Sequence, residues 1–221
     1  MDIGKTVGDS FEYAQEGLVG KWTKWFLLVV CCVIFPLFLG YRMRIYRGAT
    51  PAPEPYDWGT MFIDGIKLII VGIIYALPVI ILGIVIIGSA GLALITAAAR
   101  QSLTPGAVLG LIGAVIAGVL VLLVVAFIIW LIATIAFVRF ARTGSFGEAF
   151  NFRAILATIG RIRWIPYIFA LIVMVIIIGI FRFVCMIIPV IGIVLFLFLL
   201  PFIGMFSARY ITLLYDSAGE A

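Results

Sequence analysis

Residues 68–99 read LIIVGIIYALPVIILGIVIIGSAGLALITAAA, 32 consecutive positions without a charge. As one helix at about 1.5 Å per residue this run would be roughly 48 Å long. About 20 apolar residues already cross the ~30 Å hydrocarbon core of a bilayer. The run must therefore tilt, kink or break, and Pro78, Gly83, Gly88 and Gly91 offer places to do so. Three further runs flank it. Residues 25–41 are uncharged but short and carry Pro36; residues 101–138 are uncharged; residues 164–208 hold Arg182 as their sole charge. The last is long enough for two helices, with a turn expected at residues 188–192.

The chain as a whole agrees with this stretch. Of its 221 residues 66% are hydrophobic and 11% charged, against about 25% charged in a soluble domain. Mean hydropathy is +1.34. So few polar residues cannot cover a water-facing globule, which excludes a soluble enzyme, a disulfide scaffold, a disordered chain and a nucleic-acid binder. The reading is an all-α, polytopic transmembrane helix bundle. Five spans are expected, at about 25–41, 68–92, 107–138, 165–183 and 190–208, or six if the second or third run folds into a hairpin. Residues 1–221 are taken as a single membrane domain. Within it, 1–24 is an interfacial N-terminal segment, 42–67 a basic, proline-rich cytoplasmic loop and 139–163 a basic, amphipathic one.

Lys and Arg near span ends orient such a bundle. Loops 42–67 and 139–163 and the C-terminus carry Arg42, Arg44, Arg47, Lys67, Arg139, Arg142, Arg153, Arg161, Arg163 and Arg209. The other side has Lys5, Lys21, Lys24, Arg100 and Arg182. Ten against five puts the loops in the cytoplasm and, with five spans, the N-terminal tail outside. Lys21 and Lys24 argue against that placement. A re-entrant hairpin at Pro36 would return the tail to the cytoplasm. Asp2, Asp9, Glu12 and Glu16 precede the first run, which ends in Gly40-Tyr41-Arg42; this is not a cleaved signal peptide, and the run is expected to stay in the mature chain.

Two segments have interfacial patterns. Val7, Phe11, Ala14 and Leu18 share one helical face opposite Asp9, Glu12, Gln15 and Glu16. In 145–163, Ser145 and Glu148 have capping-box spacing. There Phe146, Phe150, Ile155, Ile159 and Ile162 form an apolar face, with Asn151, Arg153, Thr158 and Arg161 polar. Trp164 and Tyr167 follow at headgroup level. A weak echo links the two loops. Arg42, Arg44, Arg47 and Gly48 precede WGTMF at 58–62, as Arg139, Arg142 and Gly144 precede FGEAF at 146–150.

The chemistry is marked by what is missing. The chain has no His, and no carboxylate lies between Asp64 and Glu148 or between Glu148 and Asp216. Intramembrane proton or sodium sites usually need such a group. Cys31, Cys32 and Cys185 lie in apolar runs and imply neither metal nor disulfide framework. Asp57 and Asp64 are expected to be a helix cap and an exposed surface acid. Arg182 and Arg100 are expected to snorkel to the interface; the sharper alternative for Arg182 is an anion or substrate contact. Gly106, Gly110, Ala114 and Gly118 recur every four residues and are the candidate helix-packing face. The candidate lipid- or partner-binding residues are Arg42, Arg44, Arg47, Arg139, Arg142, Arg161 and Arg163. No catalytic residue, cofactor or metal site is expected.

A set of residues in and around 40–67 resembles a known family. Gly40-Tyr41-Arg42, Arg44-Ile45, Arg47-Gly48, Pro53-Glu54, Asp57-Trp58-Gly59, Phe62, Asp64-Gly65 and Lys67 are similar to the archaeal membrane family catalogued as domain of unknown function 4013. Tyr75, Pro78, Ile188-Pro189 and Ile191-Gly192 fit the same pattern. The resemblance implies an archaeal polytopic membrane protein and brings no activity, cofactor or catalytic residue. The expected role is a non-enzymatic scaffold or accessory subunit that binds anionic lipid, another copy of itself or a membrane-protein partner. A transporter or channel for a small solute is the alternative. A lipid-modifying enzyme using Asp57 or Asp64 is a distant third.

Overall fold

The computed structural model describes residues 2–102, 104–187 and 189–219, leaving aside the side chains of 189–191. Ile188, in the turn expected at 188–192, lies outside the described residues. Among the described residues the regular elements are helices: α1 (Ile3–Leu18), α2 (Trp22–Val33), α3 (Phe35–Tyr46), α4 (Trp58–Ala99), α5 (Pro105–Thr143), α6 (Phe146–Ala149), α7 (Phe152–Ile162), α8 (Trp164–Met186) and α9 (Pro189–Asp216). Helices α4, α5, α8 and the Gly192–Asp216 part of α9 are long and apolar enough to cross a membrane. The chain divides into two compact units, one of residues 1–71 and 134–221, the other of residues 72–133.

The first of the five expected spans is not one helix. The backbone leaves the helical region at Ile34, and Pro36 opens α3. Proline lacks the amide proton that a continuous helix would use, and its ring clashes with the preceding turn. Neither half is long enough to span. The hairpin considered for the second or third run does not form, because α4 and α5 are each continuous, α4 continuing past Pro78. Helix α3 extends to Tyr46 and α5 to Thr143, so Arg42, Arg44, Arg139 and Arg142 sit on helices rather than in loops.

Helix α9 is the core of the first unit. Phe202, Met205, Phe206, Tyr210 and Leu214 recur at helical spacing and are buried, and α1, α2, α3 and α8 pack on it. Asp2 caps α1 by accepting from the Lys5 amide at 3.2 Å. The buried face of α1 is Ser10, Tyr13, Ala14, Gly17 and Leu18; it includes Ala14 and Leu18 of the expected apolar face, while Val7 and Phe11 stay outside it. The reason lies in its partner. Tyr13 takes the Arg209 guanidinium over its ring at 4.9 Å and donates its hydroxyl to Ala49 O at 2.8 Å. Burial pushes the Tyr13 hydroxyl up to about 12, against the opposing charge of Arg209. Phe11 stays half exposed, edge-on to Phe202 at 5.2 Å.

Helices α2 and α3 form a hairpin. Lys24, near the start of α2, donates to Ala52 O at 3.0 Å, in the segment that follows α3. Its far limb crosses the beginning of α4 at two glycines. A Cβ on Gly40 would lie 1.8 Å from Met61 O, and one on Gly65 would lie 1.7 Å from Pro36 O. The backbones are therefore in direct contact, and no side chain fits between them.

The amphipathic segment 145–163 is two helices, not one. Ser145 makes no side-chain cap bond, so the expected capping box does not form; Asn151 Oδ1 instead accepts from the Ala154 amide at 3.2 Å and starts α7. Thr158, expected on the polar face, is buried with Ile155, Ile159 and Ile162. Its hydroxyl donates to Ala154 O at 3.0 Å, which removes the penalty of burying it.

In the second unit a Cβ on Gly118 would come within 2.9 Å of Ile86 Cγ2, so α4 and α5 approach closely there. A cavity of about 300 Å³ lies beside this contact, lined in part by Ser89, Ala90, Leu111 and Ala114. Gly106 and Gly110 meet open space. Gly110→Ala is therefore expected to raise thermal stability in detergent by up to about 1 kcal/mol, the helix-propensity gain of alanine over glycine. A lower melting temperature would mean that another copy of the chain occupies that face.

Candidate functional site

The basic residues singled out from the sequence gather at the helix ends of the first unit. Helices α3 and α5 end side by side, and each ends in an arginine that reaches the other's terminal carbonyls. Arg142 Nε donates to Tyr46 O at 2.8 Å, and Arg47 Nε donates to Ala141 O at 3.3 Å. Helix C-termini carry partial negative charge, so a guanidinium is favourable there. Gly48, at φ +90°, makes room: a Cβ there would lie 3.0 Å from the Arg142 guanidinium. Two adjacent cations repel, and two carboxylates compensate. Asp216 accepts from Arg142 Nη2 at 2.7 and 3.0 Å. Asp64 lies 2.7 Å from Arg47 Nη2 and 3.8 Å from Lys67 Nζ. The sequence reading made Asp64 an exposed surface acid; it is 5% exposed and belongs to this ion-pair set.

The neighbouring charges are also engaged. Arg139 Nε donates to Glu148 Oε2 at 2.7 Å, and Asn151 Nδ2 donates to the same carboxylate at 3.4 Å. The Arg139 bond, then the Asn151 bond, holds the Glu148 carboxyl below its ordinary value. Arg44 donates to Glu54 O at 3.1 Å and Asp57 O at 3.4 Å, fastening the 47–57 loop. Asp57 caps α4, taking bonds from the Thr60 hydroxyl and amide, which lower its carboxyl. Arg42 Nη2 donates to the Tyr46 hydroxyl at 2.7 Å. Lys24 Nζ pairs with Glu54 Oε1 at 3.1 Å. Burial pulls its ammonium below the ordinary lysine value, and Glu54 opposes that pull.

The candidate arginines thus fall into two groups. Arg42, Arg44, Arg47, Arg139 and Arg142 bind groups of the chain itself. Arg161 and Arg163 lie at the end of α7, whose outward face also carries Arg153, Phe152 and Leu156 and leads into exposed Trp164 and Ile165. Asp57, Asp64 and Glu148 are not brought together, and among the described residues no group of three or more Cys, Asp or Glu could hold a metal. Arg182 lines an open cavity of about 410 Å³ with Cys185, Met186, Gly192, Ile193 and Phe196. Sequence reasoning did not foresee Asp216 as the counter-ion of Arg142. The two are far apart in the chain, and no spacing rule connects them.

The profile of the family described as "Protein of unknown function (DUF4013)" matches residues 25–190, about three quarters of the chain. No curated protein and no solved structure matches.

Proposed function

The chain belongs to the DUF4013 family, and since that membership carries no activity we propose a role from the geometry: a non-enzymatic, multi-pass protein of the cell membrane. It acts as a scaffold or accessory subunit whose basic cytoplasmic face meets anionic lipid headgroups or a partner protein. One observation carries this reading. The carboxylates of Glu54, Asp64, Glu148 and Asp216 are each held by a cation. A catalytic acid needs access to substrate and freedom to exchange its proton; these groups are tied up in joining helix ends.

The α2–α3 hairpin supports a simpler orientation than five spans. If residues 22–46 enter and return on one side, Lys5, Lys21 and Lys24 join the ten cytoplasmic cations. That leaves thirteen against Arg100 and Arg182, a clear positive-inside bias. The archaeal source implied by the resemblance is compatible with this and is not needed for it. One surface offered to lipid is the outer face of α7, where Arg153 and Arg163 are exposed beside Phe152, Leu156 and Trp164.

The test is lipid selectivity in reconstituted bilayers, read with spin-labelled anionic and zwitterionic lipids. The variant Arg153→Glu/Arg163→Glu is expected to reduce the preference for anionic lipid by more than tenfold, at roughly 1 kcal/mol for each basic residue near the surface. An unchanged preference would remove the lipid form of the proposal and leave the partner-protein form. A second reading, transport of a small anionic solute, is favoured by the cavity beside Arg182. Uptake into vesicles that disappears with Arg182→Ala would establish it in place of the scaffold.

A further inference from the structure

We propose that the cleft between the α1–α2 turn and the loop after α3 is a binding site for a phosphate group, supplied by a membrane lipid. The cleft encloses about 410 Å³, and Lys21, Trp22, Thr23, Lys24, Glu54 and Tyr56 are among its lining residues. That volume lies within the range of small-ligand pockets and accommodates a headgroup phosphate with its glycerol. The site is separate from the α7 face and does not depend on it.

The charge in the cleft is arranged for an anion. Lys24 is 4% exposed, and its ammonium has three protons. Two go to Ala52 O and Glu54 Oε1 at 3.0 and 3.1 Å; the third has no partner among the described residues. Lys21 stands on the rim, exposed. Two cations against the single Glu54 carboxylate leave one positive charge in excess, and that carboxylate is already taken by Lys24.

The backbone adds donors. Lys21 is the N-cap of α2 and makes no side-chain cap bond. The first intrahelical bond runs from the Trp25 amide to Lys21 O at 3.0 Å, so the amides of Trp22, Thr23 and Lys24 precede the helix ladder, and their residues all line the cleft. Such amides need acceptors, and a phosphate supplies several.

The mouth indicates where the phosphate comes from. Trp22 and Tyr56 are each 67% exposed. Trp22 stacks on Trp25 at 5.7 Å, and Trp25 on Phe198 of α9 at 4.7 Å. Aromatic rings of this kind occupy the headgroup level of a bilayer. A lipid phosphate in the cleft would lay its glycerol and the start of its chains along Trp22.

The experiment is calorimetric titration of the purified full chain in non-ionic detergent with two probes, a short-chain phosphatidic acid and inorganic phosphate. Saturable binding of the phosphatidic acid is expected. Lys21→Glu should weaken it by tenfold or more, Trp22→Ala by several-fold, and Arg100→Glu, exposed and outside the cleft, not at all. Equal binding of both probes, lowered by Lys21→Glu but untouched by Trp22→Ala, would support the phosphate site and overturn its lipid source. Absence of saturable binding by either probe, or binding indifferent to Lys21→Glu, would overturn the proposal. Lys21 and Trp22 are both exposed, so their variants should fold and keep the test decisive even if Lys24→Met does not.

Discussion

Gly40→Ala is expected to destabilise the first unit as a whole in detergent rather than to perturb it locally. The added methyl would sit 1.8 Å from a backbone carbonyl oxygen, that of Met61. No rotamer relieves such a clash; α3 and α4 must move apart along their whole crossing. The cost is expected at about 3 kcal/mol or more, the upper end of overpacking penalties. That is a large part of a typical folding stability of about 5–15 kcal/mol. Gly65→Ala strikes the same crossing from the other side, against Pro36 O, and should cost a similar amount. The double variant should cost clearly less than the sum, because the helices need to separate only once. Gly204→Ala is the control. Its clash is with the Phe38 ring, a side chain that can turn, so its effect should be smaller. Thermal melts monitored by size-exclusion elution would measure all four, and unchanged melting for Gly40→Ala would contradict the crossing.

Arg142→Met is the second large effect. It removes the bidentate bond to Asp216 and the donor to Tyr46 O, leaving a carboxylate and a helix-end carbonyl without their partner. Breaking a fully buried ion pair costs about 3–5 kcal/mol. Here the side chains are 24% and 33% exposed, so solvent screens the remainder and about 2 kcal/mol is expected. Arg142→Met/Asp216→Leu should recover part of this loss, since it removes both charges together. Arg142→Lys should recover less than half, because an ammonium cannot hold the carboxylate and the Tyr46 carbonyl with one planar fork. Chemical denaturation of the purified variants would rank them; equal stability of Arg142→Met and the parent would exclude a structural role for the ion pair.

That the chain holds helices long and apolar enough to cross a membrane is legible in its uncharged runs, because a bilayer calls for a particular length and polarity. Helices α4, α5 and α8 follow directly. The division of 25–41 was signalled by Pro36, yet the number of apolar residues there still suggested a span. The small-residue stripe shows the limit of spacing rules. Gly106 and Gly110 have the periodicity of a packing face and meet open space, whereas Gly40 and Gly65, with no such stripe around them, carry a helix crossing with direct backbone contact. Periodicity tells which residues share a face; it does not tell whether another helix lies on it. The ion pairs were hidden for a similar reason, as Arg142 and Asp216 become neighbours only once α9 has packed. The residues behind the family resemblance are another matter. Gly40, Arg47, Asp64, Gly65 and Lys67 turn out to form the backbone crossing and one ion-pair set, so these motif residues have a structural task.

The central position of α9 sets an order of assembly. Helices α1, α2 and α3 leave the ribosome before the surface they rest on, which follows only after α4, α5 and α8. Until then Tyr13 and Tyr41, both buried in the finished fold, lack the α9 residues Arg209 and Met205 that they meet there. During synthesis the early segments must therefore wait, exposed to proteases and chaperones, while α4, α5 and α8 are made. Nascent chains stalled before residue 189 should be far more readily degraded than the completed protein, and translation speed through the last run would set how many molecules survive to close.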